Sequence, residues 1–493
     1  MSIDNESATR GLIRGLGLLA AISIIVGNVI GTGVFLKARV MTCNLGEPLW
    51  VIAAWVAAGL LTLAGALSYA ELTAMKPEAG GEYVYLRDSY GPLSSFLFGW
   101  MSIFVSKPGS QASVAVIFAG ALNDFLGGAV KHKLFEFHLL GLQVEITTIQ
   151  LVAVMMIVIF TTINCATVQL SGQIASVLTA VKVGLIVFVG LGALLFATGG
   201  NMQNFLMAEQ GGSCNGVSDS VRFGAAGYSF ASGFAAAMIG ALWAYDGWNN
   251  LGFVAGEVKE PGKNIPRAII GSTILVILLY VGVNSIYFYI LDPTTIAHVS
   301  PDSSVAASIV SRFSSLGWLE ITGSAALVIF TVGLMISSLG TLHTSIVAGS
   351  RIPFAMAQNG LMLKRLGQLS ITGVPITALI FQGFLASILA LTGSFDTLTN
   401  YVIFGSWIFY GLATSSIFIF RKRHPELDRP YKALGYPLVP VIFLLVTIWL
   451  LVRTLIDTPK ESFTGALLIL LGIPVYYIFI KRNNSFISKA ENG

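Results

Sequence analysis

Apolar runs of roughly twenty residues recur from one end of the chain to the other, separated by short polar stretches that carry glycine, proline and charge. A helix needs about 20 apolar residues to cross a hydrocarbon core about 30 Å thick. Matched to that template, the chain predicts about twelve transmembrane helices, at residues 15–36, 48–74, 91–122, 146–165, 172–198, 227–256, 268–291, 317–350, 374–393, 396–420, 435–456 and 464–480. The expected fold class is an all-α integral membrane protein. No long linker or low-complexity tract divides the runs, so residues 1–493 are expected to form one integral domain behind a polar tail over 1–14. The run after that tail lacks a small-residue cleavage site, and no removable signal peptide is expected.

Two of the runs are interrupted. In the first, Val26-Gly27-Asn28-Val29-Ile30-Gly31-Thr32-Gly33-Val34-Phe35 sets three glycines and two polar side chains where a lipid-facing helix should be most apolar. An unwound turn there frees N–H groups at a half-helix start, suited to a carboxylate such as that of an amino acid. The alternative is that Gly27 and Gly31 form a small-residue packing seam. In the sixth, Leu242-Trp243-Ala244-Tyr245-Asp246-Gly247-Trp248-Asn249-Asn250 collects an acid, a glycine, two amides and three aromatics. A charged group at the bilayer centre costs about 2.5–3.5 kcal/mol on insertion scales, so Asp246 needs a partner. Freed carbonyls can hold an α-ammonium, Asp246 can bias the site toward positive charge, and Trp243 can close over a ligand. The alternative is a structural ion pair of Asp246 with a lysine. Breaks in spans one and six are offset by five, an odd number, which reverses the direction of the second unit. The prediction is an inverted repeat, 15–198 against 227–420, with two extra helices over 435–480 and helices one and six unwound at midplane.

Charge adds orientation. Only 11% of residues are charged and 55% are hydrophobic, which excludes an ordinary water-soluble protein, and the net charge of +4 is spread in short clusters rather than in a nucleic-acid patch. With the N-terminus inside, 18 of the 28 basic residues fall in cytoplasmic segments and 8 on the other side, so both termini are expected in the cytoplasm. Lys107 and Lys182 remain, both within spans. Lys182 lies ten residues into the fifth span, about 15 Å deep and too far to snorkel, so it should point inward. It can stand in for a coupling cation, load a proton, or staple helices. Lys107 can meet a substrate side chain or counterbalance Asp246. Cys43, Cys165 and Cys214 show no paired or metal-type spacing, so neither a disulfide framework nor a metal site is predicted, and no cofactor is implied; Cys43 and Cys214 could meet outside.

The broken-helix segments Ile25 to Phe35 and Ala244-Tyr245-Asp246-Gly247-Trp248-Asn249 resemble those of L-type amino acid transporters, within the amino acid/polyamine/organocation superfamily. So do Ala79-Gly80-Gly81-Glu82-Tyr83-Val84-Tyr85, Glu257-Val258-Lys259-Glu260-Pro261 and His424-Pro425-Glu426-Leu427-Asp428-Arg429-Pro430-Tyr431-Lys432. The resemblance spans nearly the whole chain. It implies the inverted-repeat fold shared with bacterial leucine transporters and exchange of L-amino acids by alternating access. It assigns Val29, Gly31, Thr32 and Gly33 to the carboxylate side of the site and Trp243, Ala244 and Asp246 to the ammonium and side-chain part, with Trp243 as aromatic gate. Lys182 matches a lysine that replaces sodium in sodium-coupled relatives, so sodium independence is implied, with Ser337 and Ser338 as its neighbours. An acid at Asp246 is similar to the family's exchanger of neutral and dibasic amino acids, so neutral and cationic substrates are both in view. Lys107 and Asn249 are candidates for side-chain selectivity. Animal members bear a cysteine between spans three and four that bridges to a heavy-chain glycoprotein; residues 123–145 hold none, so no heavy chain is expected. The implied protein is a bacterial permease in the cytoplasmic membrane whose partners are amino acids and lipid, with the oligomeric state open.

Other classes fit less well. A channel would show rings of charge along a pore, and none is evident. An enzyme or ATP-driven pump would carry a motif such as H-E-x-x-H, G-x-S-x-G or a Walker loop, and none occurs. A proton-coupled symporter remains the near alternative, and a non-transporting membrane sensor or scaffold the remote one.

Overall fold

The computed structural model describes residues 12–139, 142–300, 303–314, 322–392, 395–457 and 459–478. Its first apolar run is two helices rather than one, α1 (Leu18–Val29) and α2 (Gly33–Leu45), followed by α3 (Pro48–Met75). A short helix α4 (Glu82–Tyr90) precedes α5 (Pro92–Met101), a π-turn over Ser102–Ser106 and α6 (Lys107–Phe125). An antiparallel hairpin of β1 (Lys133–Leu139) and β2 (Leu142–Thr147) leads to α7 (Thr148–Asn164) and α8 (Val168–Phe196). Next come α9 (Phe230–Tyr245), a 3-10 stretch over Asn250–Glu257 and α10 (Pro261–Ile290). After the short α11 (Pro293–His298) and α12 (Val305–Val310) the chain forms α13 (Gly323–Gln358), α14 (Ile376–Thr392), α15 (Phe395–Arg423), α16 (Leu438–Asp457) and α17 (Pro459–Leu470).

Local chemistry explains many of these starts. Proline opens α3, α5, α10 and α11, where its missing N–H costs nothing. Thr147 and Gln150 form a reciprocal capping box on α7, and Thr167, Ser229 and Thr322 cap α8, α9 and α13 with their hydroxyls.

Among the described residues, six helical stretches are long and apolar enough to cross a membrane. They divide by position. Of the most apolar window of Leu18–Leu45, 67% is buried inside the protein, against 22% for α16. On α16, Leu445, Ile448, Val452 and Leu455 recur at helical spacing and are all at least half exposed, a stripe stable only against hydrocarbon. The interrupted first run is therefore central, and the uninterrupted α16 is rim.

On the face that carries most of the basic residues, the chain is tied by charge and backbone. Arg351 on α13 pairs with Glu257 at 2.8 Å, both fully enclosed, and the guanidinium makes a second bond to the same carboxylate. Glu71 receives Arg421 at 2.6 Å and the backbone N–H of Ala433. The N–H of Leu16 donates to the carbonyl of Glu257 at 2.9 Å, and Lys259 N–H returns to Leu16 at 2.8 Å. The segments flanking α1 and the Asn250–Glu257 turn are thereby zipped together.

Several expectations change. One disulfide is present, and it joins the two cysteines named as able to meet: Cys43 at the end of α2 bonds to Cys214, 171 residues away, because residues 207–223 fold back on α2 through Glu209 N–H to Gly46 O and Phe223 N–H to Cys43 O. The eighth run, expected over 317–350, is helical from Gly323 through Gln358, so Arg351 sits inside a helix rather than in a loop; residues 315–321 lie outside the described set. The loop between the third and fourth runs contains the hairpin.

Candidate functional site

The first break occupies Ile30 to Thr32. The Ile30 backbone is extended (φ −73°, ψ 91°), and α2 starts afresh at Gly33 without a side-chain cap, so its first N–H groups lack intrahelical partners. The second break starts at Asp246, extended at φ −60° and ψ 144°, and passes through Gly247 at φ +107°. That angle favours glycine, and a Cβ at Gly247 would also lie 2.8 Å from the Asn28 Cβ, so the two breaks touch at this point.

Between them lies a cavity of about 120 Å³. Val29, Gly31, Thr32 and Gly33 line it from the first break, and Trp243, Ala244 and Asp246 from the second, with Lys107 of α6 on a third side. These residues come together as anticipated from the two motifs. The glycines differ in use. A Cβ on Gly27 would meet Thr179 Oγ1 at 2.8 Å and one on Gly33 would meet the Ala244 Cβ at 2.8 Å, so both serve close helix packing; Gly31 faces the cavity, its nearest neighbour Thr341 Oγ1 at 3.7 Å. Of the seam expected from Gly27 and Gly31, Gly27 packs closely and Gly31 does not, while Gly33, expected on the carboxylate side, both lines the cavity and packs against Ala244.

Lys182 projects from α8 onto the first break, fully enclosed. Its Nζ donates to the Gly27 carbonyl, to the Ile30 carbonyl at 2.7 Å and to Thr341 Oγ1 at 2.6 Å. An ammonium has three donors, and all three are used. The expected neighbours Ser337 and Ser338 are not among these partners: Ser338 Oγ donates back to Leu334 O at 3.0 Å, and the contact falls to Thr341, one helical turn beyond Ser337. Thr341 also lines the cavity, so Lys182 reaches the ligand space through it.

Asp246 is exposed to the cavity, and its Oδ1 accepts from the Tyr410 hydroxyl at 2.6 Å. No ion pair joins Asp246 to a lysine among the described residues, so the structural-pair alternative is not the arrangement found. Lys107 instead donates to Asn250 Oδ1 at 2.7 Å and lies 4.7 Å from the centre of the Phe253 ring. Trp243, half-buried, carries Lys37 over its face at 4.6 Å. Asn249 does not line the cavity. It is buried and donates to Glu82 Oε1 on α4, leaving Glu82 Oε2 and Asn249 Oδ1 without hydrogen-bond partners among the described residues. Burial pushes the Glu82 carboxyl up to about 7, against the opposing pull of the Asn249 bond.

Three participants escaped the sequence reading. Tyr280 of α10 donates to Val29 O at 2.9 Å and Ala244 O at 3.2 Å, tying one break to the other. Tyr410 holds Asp246, and Glu82 underpins Asn249. A hydroxyl in the middle of an apolar run is the available signal for both tyrosines, since such a group needs a partner in lipid; Glu82 stood in a motif placed in a loop.

The amino acid permease family profile matches residues 16–480 of the chain. Similar proteins include the b(0,+)-type amino acid transporter 1 of Mus musculus, 31% identical over 97% of this chain and 90% of that protein. The large neutral amino acids transporter small subunit 2 of Oryctolagus cuniculus is 29% identical over 95% of this chain and 80% of its own length. The serine/threonine exchanger of Bacillus subtilis (strain 168) is 28% identical over 96% of this chain and 99% of its own.

Proposed function

We propose, from the premise that this chain belongs to the amino acid permease family, that it exchanges L-amino acids across a cell membrane without sodium. The observation that carries this reading is Lys182. Three oxygens converging beside a helix break are the surroundings of a small cation, and here a covalently fixed ammonium fills them. A cation that never leaves cannot be carried with the substrate, so return of the empty transporter gains nothing from an ion gradient and a second amino acid drives it. The family's architecture is read here as twelve spans in an inverted repeat, 15–198 and 227–420, followed by 435–480, with both termini in the cytoplasm of a bacterium. The zipped basic face and the exposed Asp246 are read as the state in which the cavity opens away from the cytoplasm.

In this reading the N–H groups at the start of α2, around Thr32 and Gly33, receive the substrate carboxylate. Carbonyls at Trp243 and Ala244 receive the ammonium, Trp243 closes the cavity, and Asp246 opposes a cationic side chain while Lys107 limits its size and charge. Asn249 acts indirectly, by fixing the second break on Glu82. The serine/threonine exchanger and the large neutral amino acids transporter named among similar proteins support neutral substrates. No heavy-chain partner is proposed, since residues 123–145 hold no cysteine.

Purified protein in liposomes is tested with labelled alanine, serine, leucine and arginine in sodium-free buffer. Exchange requires that uptake depend on internal unlabelled amino acid. Uptake into empty liposomes that follows an inward proton gradient would replace it with proton symport, the reading favoured by one observation, the buried Glu82 carboxyl beneath the second break. Ligand binding without flux would leave a sensor.

A further inference from the structure

We infer that the protein holds one anionic phospholipid of the cytoplasmic leaflet in a slot beside α5 and α14, separate from the cavity between the breaks. The slot is apolar throughout, about 280 Å³, and is lined by Trp100, Ile103, Phe104, Met356, Phe381 and neighbouring side chains. The wide π-turn over Ser102–Ser106 supplies Ile103 and Phe104, and the final helical stretch (Ser462–Ile478) supplies Val475. Leu363 and Phe381 are shared with a second, more open cavity of about 650 Å³. That second cavity carries Lys364 and Arg365 together with Thr377, Ile380 and Phe384.

The two spaces form one amphiphilic profile. Lys364 and Arg365 lie on a short 3-10 turn, exposed, and neither makes an ion pair among the described residues. Thr377 stands in the first turn of α14, and from it to Phe384 the helix descends about 10 Å at 1.5 Å per residue, with Ile380 and Phe384 more than half exposed. The order from outside inward is therefore two free cations, one hydroxyl, then hydrocarbon, which is the order of phosphate, ester and acyl chain in a glycerophospholipid. A basic pocket between helices at the cytoplasmic side is the arrangement that selects acidic head groups. The slot is also lined by Met356, enclosed on α13 five residues beyond Arg351, so an acyl chain there packs on the helix that carries the buried Arg351 to Glu257 pair.

Full-length protein in detergent is titrated with phosphatidylglycerol and, separately, with phosphatidylcholine and with water-soluble glycerol phosphate, and retained molecules are counted by native mass spectrometry. Saturable retention of a single phosphatidylglycerol is expected, with neither of the other two held. The double variant K364Q/R365Q is expected to lower that retention about tenfold. The variant K259Q/K263Q, basic residues of the same face but far along the chain, is expected to retain the lipid as the parent does. Equal retention in K364Q/R365Q, or an equal loss in K259Q/K263Q, overturns the site; retention of glycerol phosphate alone overturns the role of the slot. The readout is lipid binding, so it stands or falls independently of which amino acid is carried.

Discussion

The two breaks face each other across one cavity, yet their polar groups are satisfied in opposite ways. At the first, one ammonium from another helix takes the carbonyls of Gly27 and Ile30, and every donor of Lys182 is consumed. At the second, among the described residues, Asp246 has a single hydrogen-bond partner in Tyr410 and is exposed to the cavity, while Asn249 and Glu82 each keep a buried oxygen without one. On its carbonyl side the first break is thus a closed set of bonds that defines a position, while the N–H groups at the start of α2 keep no side-chain cap. The second has spare capacity, the property a part needs if its partners change when substrate binds. Tyr280, donating to a carbonyl of each, bridges the two.

Four substitutions probe that contrast. Lys182→Ala is expected to have the largest effect. It strands two buried carbonyls, at about 1–3 kcal/mol per unsatisfied group, and liposome exchange should fall about a hundredfold or more for every substrate while the protein remains monodisperse. Retained exchange in that variant would remove the distinction between the breaks. Asp246→Asn should act selectively, lowering arginine uptake roughly tenfold while alanine and leucine uptake stay within about threefold, because one charge at contact distance near water is worth about 1–2 kcal/mol. An equal loss for neutral substrates would mean that the acid serves structure instead. Tyr280→Phe removes a single hydroxyl worth about 1 kcal/mol, so turnover is expected to drop about fivefold with little change in the concentration for half-maximal uptake.

The smallest effect is expected from Glu82→Gln, visible only in a pH series. The carboxyl is held at about 7, above its unfolded range, so its contribution to stability is complete at acid pH and is lost as pH rises through about 7. The glutamine variant mimics the protonated form. Its melting temperature relative to the parent should therefore rise between pH 6 and 8, and its transport at pH 8 should resemble that of the parent at pH 6. Parallel profiles in the two proteins would show that Glu82 does not titrate there.

Much of this site was legible beforehand. Val29 to Gly33 and Trp243 to Asp246 could be picked out because glycine, amide and acid in the middle of an apolar run are anomalies on a local scale. Lys182 could be oriented inward by depth alone. Its partner could not: Ser337, Ser338 and Thr341 are all polar residues of one helix, and only the rotation of α13 against α8 puts the last of them on the ammonium. Asn249 reads in sequence like its neighbour Asn250, yet a third of a turn of difference at the start of the 3-10 stretch sends one toward Glu82 and the other to Lys107. The Cys43 to Cys214 bond joins positions with no sequence spacing to link them.

What the sequence by itself determined is the set of properties that lipid imposes locally: apolar runs in succession, their basic asymmetry, and the two places where a helix breaks. Hydrocarbon penalises each exposed polar group wherever it occurs, so these features are written residue by residue. Only the tertiary structure decided which oxygen meets which donor, because that depends on the rotation and depth of whole helices, set by packing summed over many residues at once.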